Sequence, residues 1–456
     1  MSLFGTAGIR GDVTETVTPE LALSVGRAVG AEARKRDEAE FVVARDGRRS
    51  GRALADAVSA GLASAGVDVV RAGVCPTPAL AFASAGRRGV MITASHNPPA
   101  DNGLKLFADG VEYDAEAERR VAALVGEQPP TEWSDWRDSE AASVLDRYCK
   151  TVVAYAETHG ATVEGTRIAV DPGNGTAGLA TPRVLRALGA DVVAVNANVD
   201  GTFPARASKP TPESLGEFRS FVRDDDAALG IAHDGDGDRI AVVDPDGAVV
   251  HEDTVVAILA EHYTRESDAD DPVVVTTPNA SGRIDERVVA AGGRVERVRL
   301  GALHEGIAAA RDAGGADTVV AFAAEPWKHV HPDLGGWIDG VASAAVLARL
   351  VAAAGEIGAL RDPITERPYR KANARCPDDR KSDAMERITE TLPARFPEAA
   401  VDTDHGVRAD FPDGSWVLVR PSGTVPYLRV YAESDAVGDL IAETMDIVER
   451  AASESG

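Results

Sequence analysis

Along this chain, short apolar runs closed by glycine or charged residues alternate with segments whose apolar positions recur every three or four residues. The first such segment predicts a helix over 18–36, opened by Thr18-Pro19-Glu20 as N-cap, first-turn proline and first-turn acid. A strand follows over 40–44, then a charged loop (45–51), a helix over 53–65 and a strand over 67–71. The run Gly89-Val90-Met91-Ile92 reads as the end of a buried strand that delivers Ser95 onto a loop closed by Pro98-Pro99. This repetition of strand, loop and helix predicts an α/β region with its polar loops at the strand ends.

After a Pro-, Trp- and charge-rich connector (128–138), the pattern predicts a helix over 144–158 and a second α/β unit from 166. That unit has a helix over 181–188 and strands over 191–195 and 240–243. A third unit follows from about 253, with helices over 255–262 and 284–291 and strands over 273–277, 295–300 and 319–323. An alanine-rich helix follows Gly340. Beyond about 361 the pattern changes to a helix (383–392), strands around the Pro412-Asp413-Gly414 turn (415–419, 428–432) and a final helix, a small α+β unit with an antiparallel sheet. The expected domains are 1–146, 147–252, 253–362 and 363–456, with no internal repeat.

Composition narrows the partners. Acidic residues number 73 against 48 basic ones, a net charge of −25 that speaks against nucleic acid or an anionic membrane surface. Only seven of the basic residues are lysine, and an acid-rich, lysine-poor chain suggests a salt-rich setting that screens its self-repulsion. Cys75, Cys149 and Cys376 are odd in number and far apart, which argues against a disulfide framework or zinc site and for a reducing cytoplasm. No apolar run reaches the roughly 20 residues of a membrane span, and no leader is expected before Phe4.

Four stretches carry candidate chemistry. Phe4-Gly5-Thr6-Ala7-Gly8-Ile9-Arg10-Gly11 is a glycine-rich loop whose Arg10 can clasp a phosphate, or a plain turn. Thr93-Ala94-Ser95-His96-Asn97-Pro98 sets a serine beside a histidine, with Lys105 nearby, as nucleophile, proton acceptor and cation, or as a self-bonded turn. Asp234-Gly235-Asp236-Gly237-Asp238-Arg239 holds three carboxylates at alternate positions. Their mutual repulsion makes a bound Mg²⁺ the economical explanation, against an acidic surface loop as the alternative. His233, without a partner at ligand spacing, reads as packing. Arg420-Pro421-Ser422-Gly423-Thr424 offers a guanidinium, two hydroxyls and exposed amides to a phosphate dianion. A fifth stretch, Glu325-Pro326-Trp327-Lys328-His329, suits either a polyol or a salt-bridged turn.

In this order, the four stretches resemble the signatures of the α-D-phosphohexomutase family over some 420 residues. The resemblance implies three related mixed-sheet α/β domains and a small C-terminal α+β domain around a central cleft. It implies reversible phosphoryl transfer between the 1- and 6-positions of a hexose or amino-sugar phosphate, through a phosphoserine and a bound sugar 1,6-bisphosphate. Carried over by position, Ser95 is the phosphoryl carrier, and Asp234, Asp236, Asp238 and a phosphoserine oxygen hold Mg²⁺. Arg10, Lys105 and Arg239 line the reacting phosphoryl, with His96 or Lys105 near the proton transfer. Glu325 contacts sugar hydroxyls, with Trp327, Lys328 and His329 beside it, and Arg420, Ser422, Gly423 and Thr424 hold the phosphate that is not reacting. The expected partner is a small sugar phosphate, with the chain a monomer or homodimer.

The sugar loop departs from the family. Where members usually read Gly-Glu-x-Ser-Gly-His, this chain reads Ala324-Glu325-Pro326-Trp327-Lys328-His329. Val425 also replaces a common glutamate, and the loop 301–304 lacks the charged residue usual after its glycine. Glucosamine, mannose and glucose phosphates rank together as substrates, while Trp327 and Lys328 point to a pentose or a modified, anionic sugar. A catalytically silent sugar-phosphate binder is the reading from another class.

Overall fold

The computed structural model describes residues 3–5, 8–36, 38, 40–423 and 425–453. The chain divides into two compact units, 1–255 with 326–361, and 256–325 with 362–456. The chain therefore leaves the first unit after Val255 and returns to it at Pro326.

The first unit holds two sheets. The larger runs Ile9–Asp12, Asp101–Ala108, Arg88–Ile92, Glu40–Arg45, Asp68–Val74, Ser139–Ala141, with Val111–Glu112 paired to Asp101–Ala108. Arg88–Ile92, Glu40–Arg45 and Asp68–Val74 are parallel, whereas Asp101–Ala108 runs antiparallel to both its neighbours. The pairing Met91↔Lys105 brings Lys105 beside the strand that leads to Ser95, and Arg10↔Gly103 adds Arg10 from the next strand. The second sheet runs Val249–Val250, Ile240–Val243, Leu229–His233, Arg167–Asp171, Asp191–Ala194. Its antiparallel pair Leu229–His233 and Ile240–Val243 meets at His233↔Ile240, so the three aspartates lie on the connection between them.

Helix Pro19–Arg34 starts where the sequence places it: the Thr18 hydroxyl accepts the Leu21 amide at 3.3 Å. It buries Ala22, Val25, Ala28, Val29 and Ala33, a helical stripe, against helix Gly51–Ser64. Gly26 and Gly61 make that contact close, because a Cβ at Gly61 would lie 2.3 Å from the Leu23 carbonyl oxygen and one at Gly26 2.5 Å from that of Val58. Helix Gly340–Ala354 completes this unit, capped by Asp339, which accepts the amides of Val341 and Ala342. The Tyr148 hydroxyl donates to the same carboxylate at 2.8 Å, tying helix Leu145–Ala156 to the start of helix Gly340–Ala354.

The second unit pairs Arg294–Arg297, Asp271–Thr276 and Thr318–Glu325 in parallel. Its other sheet is antiparallel, in the order Tyr369–Arg375, Tyr427–Glu433, Trp416–Pro421, Val407–Asp410, Ala400–Asp402. Buried Arg283 donates to Glu433 at 2.8 Å, and Glu433 also accepts the Trp416 indole N–H at 2.9 Å.

The mixed α/β architecture with a C-terminal antiparallel sheet agrees with the expectation. Several elements escaped the pattern. Strand Asp101–Ala108 is interrupted by Asn102 and Lys105, which are buried with their polar ends bonded, so tertiary context outweighs apolarity there. The connector ends in strand Ser139–Ala141, wholly exposed, which pairs with Asp68–Val74. Helices Ala115–Ala122 and Gly216–Asp224 each bury only two residues, too few for an apolar rhythm. Among the described residues the three cysteines are free and buried, and no helix is long and apolar enough to cross a membrane.

Candidate active site

Strand Arg88–Ile92 ends in Thr93-Ala94-Ser95, and Ser95 turns the chain with φ 50°, a left-handed conformation rare for a residue with a Cβ. Local bonds hold that turn. The Ser95 amide donates to the Thr93 hydroxyl at 2.9 Å, which in turn donates to Asp46 at 2.8 Å. Arg48, fully buried, donates from one guanidinium nitrogen to the carbonyls of Ser95 (2.9 Å) and Asn97 (2.8 Å), and from another to that of Asp101 (2.9 Å). Its Nε donates to Asp46 at 3.0 Å.

The acidic loop packs directly on this turn. Ser95 Oγ donates to Asp234 Oδ2 at 2.7 Å, and a Cβ at Gly235 would lie 2.7 Å from the Ser95 carbonyl oxygen, so only glycine admits the approach. Gly237 has φ 75°, and His233 donates from Nδ1 to the Arg239 carbonyl at 2.8 Å while Thr181 meets its Nε2 at 2.9 Å. His233 thus braces the loop from beneath. Asp234, Asp236 and Asp238 are buried, and each offers an oxygen within 4.8 Å of the others.

Their electrostatics are unequal. Burial, then Asp238 and Asp236, push the Asp234 carboxyl far above the ordinary carboxylate range. Burial acts the same way on Asp238, but Lys105, Arg239 and Lys328 outweigh it and hold that carboxyl below the range. Lys105 Nζ donates to Asp238 at 2.8 Å and lies 3.6 Å from Asp236 and 3.5 Å from Glu112. Burial opposes its charge, yet Asp238, Glu112 and Asp236 prevail and raise its pKa. Asp236 Oδ2 accepts the Thr77 hydroxyl at 2.6 Å, while Asp236 Oδ1 and Asp238 Oδ1 are buried without a hydrogen-bond donor. Two orphaned carboxylate oxygens in a buried acidic trio fit a hard divalent cation. His96 Nδ1 lies 3.4 Å from Ser95 Oγ, and burial, Arg239, Arg10 and Lys209 bring its pKa down to about 3.

Trp327 and Lys328 lie against this loop: the Ile240 amide donates to the Trp327 carbonyl at 3.1 Å, and Lys328 pairs with Arg239 in an isolated antiparallel bridge. His329, expected among the substrate residues, is instead buried, with its ring on Ser343 at 3.0 Å. Glu325, Arg420, Ser422 and Gly423 belong to the second unit, and Thr424 lies outside the described residues. There the Glu325 carboxylate accepts the Gly301 amide, and Arg420 donates to the Tyr431 hydroxyl at 2.9 Å. Ser422 is buried, Gly423 is exposed, and the Ser422 amide donates to the Tyr427 carbonyl at 3.0 Å.

The chain matches three models of the phosphoglucomutase/phosphomannomutase family: alpha/beta/alpha domain I over residues 1–131, alpha/beta/alpha domain II over 146–247, and the C-terminal domain over 372–451. The chain belongs to this family. A Thermococcus kodakarensis phosphopentomutase is 40% identical over 95% of this chain and 94% of its own length. A Methanopyrus kandleri protein named as a probable phosphoglucosamine mutase is 38% identical over 99% and 98%. Among solved structures, a Burkholderia thailandensis phosphoglucomutase/phosphomannomutase family protein aligns with a TM-score of 0.85 and 27% identity, covering 100% of this chain and 98% of that one. The family expected from the four motifs is the family found, and the chain is a sugar-phosphate mutase, an isomerase.

The structure of this mutase brings Ser95, His96, Lys105, Arg239 and the three aspartates together, with Arg10 one strand away. It adds residues the motifs did not reveal. Thr77, 159 positions from Asp236, orients that carboxylate through its hydroxyl and donates its amide to the Asp236 backbone carbonyl. Its only signal was the Cys75-Pro76-Thr77-Pro78 loop at a strand end. Arg48 lies in the charged loop 45–51, where a buried clamp reads like any surface arginine. Lys381 holds the carbonyls of Ser422 (2.5 Å) and Val425 (2.8 Å), and nothing in its surrounding sequence marks it.

Proposed function

We propose that this mutase is Mg²⁺-dependent and carries its phosphoryl group on Ser95, interconverting the two ends of a sugar phosphate by way of a sugar 1,6-bisphosphate. The observation that carries the reading is Ser95 Oγ at 2.7 Å from Asp234 Oδ2, beside the unbonded oxygens of Asp236 and Asp238. Asp234, Asp236, Asp238 and a phosphoserine oxygen would hold the cation, whose contribution is to neutralise charge on the transferring phosphoryl.

The rest falls to the chain's own side chains. Arg10, Lys105 and Arg239 add positive charge around the carrier, which suits a transfer that depends on charge neutralisation and alignment. The attacking sugar hydroxyl forms the new P–O bond as the bond to Ser95 Oγ breaks, and its proton needs an acceptor. Lys105 is held charged by its carboxylate neighbours, so neutral His96 takes that role, aided by the phosphoryl anions that gather beside it. Arg420, Ser422, Gly423 and Thr424 remain the proposed residues for the non-reacting phosphate. Their support is a guanidinium steadied by Tyr431 and a loop anchored by Lys381. Glu325, steadied by Gly301, is the proposed hydroxyl reader.

A hexose or amino-sugar 1-phosphate is the first substrate reading, supported by the relatives named for phosphoglucosamine. A pentose phosphate, whose intermediate would be a 1,5-bisphosphate in place of the 1,6-bisphosphate, is the second, favoured by Trp327 and Lys328 in the sugar loop and by the Thermococcus relative. The test is to incubate the protein with Mg²⁺ and glucose 1,6-bisphosphate and map phosphate by mass spectrometry. Phosphate on Ser95, and none on a Ser95→Ala variant that has also lost mutase activity, is expected. A Ser95→Ala variant with full turnover refutes the reading.

A further inference from the structure

Several arginines of the first unit are matched by carboxylates: Arg87 by Glu40, Arg88 by Glu38 and Glu32, Arg167 by Asp191 and Asp225. Arg45 and Arg52 are not. Among the described residues neither has a carboxylate partner, and the Arg45 guanidinium donates to the Asp46 carbonyl at 3.1 Å. The chain carries a net charge of −25, so acid to match them is not in short supply.

Both line a cavity of about 320 Å³, where helix Gly51–Ser64 meets strands Glu40–Arg45, Asp68–Val74 and Ser139–Ala141. A bulge makes the room. Pairing jumps from Val43↔Arg71 to Ala44↔Gly73, leaving Ala72 as an extra residue, and Gly73 takes φ 75°. A Cβ there would meet nothing within 4 Å. Arg71 also lines the cavity and pairs with Asp56. Val43, Ala44 and Ala55 add apolar lining, and exposed Glu140 brings the one carboxylate. Helix Gly51–Ser64 has no acidic residue in its first turn and no side-chain cap, so its positive end adds to the field of the arginines.

We propose that this cavity is an anion site, separate from the transfer centre, that takes the phosphate monoester of a small polyol. Charge selects the anion: Arg45 and Arg52 supply two unmatched positive charges, the complement of one phosphate dianion, in the planar fork that suits its oxygens. Glu140 restricts it to one phosphate, because a second anionic group would meet a carboxylate. The same carboxylate accepts hydrogen bonds from hydroxyls, which favours a polyol body. Size agrees. The cavity is at the small end of ligand sites, which run from roughly 300 to 1,000 Å³, and phosphate alone would leave most of it empty. Binding here is independent of phosphate on Ser95.

The experiment reads arginines one by one. Phenylglyoxal modifies accessible guanidinium groups, and peptide mass spectrometry locates each adduct. Glycerol 3-phosphate is the probe, with inorganic phosphate and KCl at equal ionic strength beside it. At about nine times its half-protecting concentration, the probe should slow modification of Arg45 and Arg52 about tenfold by mass action. Inorganic phosphate should protect more weakly, and KCl not at all. Arg52→Glu changes an exposed side chain, so the fold should hold while the concentration needed to protect Arg45 rises about tenfold. Arg420→Ala, at the loop proposed for the non-reacting phosphate, should leave protection of Arg45 and Arg52 intact. Protection no greater than in KCl, equal protection by inorganic phosphate, or protection lost in Arg420→Ala would overturn the site. Undiminished protection of Arg45 in Arg52→Glu would overturn it too.

Discussion

The loop carrying Asp234, Asp236 and Asp238 and the loop 420–425 both read from the sequence as ion-binding, and they are built in opposite ways. In the first, all three carboxylates are buried, and Thr77, Lys105, His233 and the Ser95 turn each fix a neighbouring atom. In the second, Pro421, Gly423 and Val425 are exposed, and the anchors include Lys381 on the Ser422 and Val425 carbonyls and the backbone bonds that Tyr427 makes with Ser422 and Val425. The difference teaches where precision is required. A centre that breaks and forms P–O bonds works only if its groups are preorganised. On the function proposed above, the second loop has only to grip a dianion, which an arrangement open to solvent allows.

The comparison breaks hardest at the buried side. Asp236→Asn removes one charge from a trio in which Asp236 Oδ1 and Asp238 Oδ1 have no hydrogen-bond donor, and should lower Mg²⁺-supported kcat/KM by about 10³-fold with little change in melting temperature. Measurement at saturating Mg²⁺ checks whether the loss is one of metal affinity. At the open side, Arg420→Ala should cost about 50-fold in kcat/KM, the worth of one charge-assisted hydrogen bond to phosphate, and leave phosphorylation of Ser95 detectable. An equal loss for the two variants would erase the contrast drawn above.

Thr77→Val sharpens the picture. It keeps the side-chain shape and deletes the 2.6 Å bond to Asp236, so Mg²⁺ affinity should fall about tenfold while circular dichroism stays unchanged. Titration calorimetry with Mg²⁺ reads this directly. The smallest effect concerns pH. Burial brings His329 down to about 3, so the folded protein holds it neutral while the unfolded chain protonates it near 6.5. The unfolded state binds more protons between those values, and stability is therefore full above pH 6.5 and declines as pH falls toward 3. The slope is about 1.4 kcal/mol per pH unit for one such group. His329→Gln should flatten denaturant-unfolding free energies by that slope over pH 4–6.

How much of this was legible in the sequence depends on distance along the chain. Ser95 with His96, and the three aspartates, could be read because each set lies within a few residues and the chemistry shows in the spacing. Arg48, Thr77 and Lys209 could not, since each acts on a partner tens to hundreds of positions away and looks ordinary where it stands. His329 misled for the same reason: it follows Trp327 and Lys328 directly, but strand alternation turns it inward onto Ser343. The strand Asp101–Ala108 was hidden because buried Asn102, bonded to Ser50, and buried Lys105, bonded to Asp238, break its apolar pattern.

The order of the chain also governs how the protein can be made. The aspartate loop rests on the start of helix Gly340–Ala354, where a Cβ on Gly340 would lie 2.7 Å from the Arg239 carbonyl oxygen and 2.9 Å from that of Gly237. Those residues emerge from the ribosome roughly a hundred positions after the loop itself. A nascent chain ending at Val255 thus carries the three aspartates and Ser95 but lacks the floor beneath them. Maturation of the centre has to wait until the intervening segment has been threaded out and the polypeptide has come back.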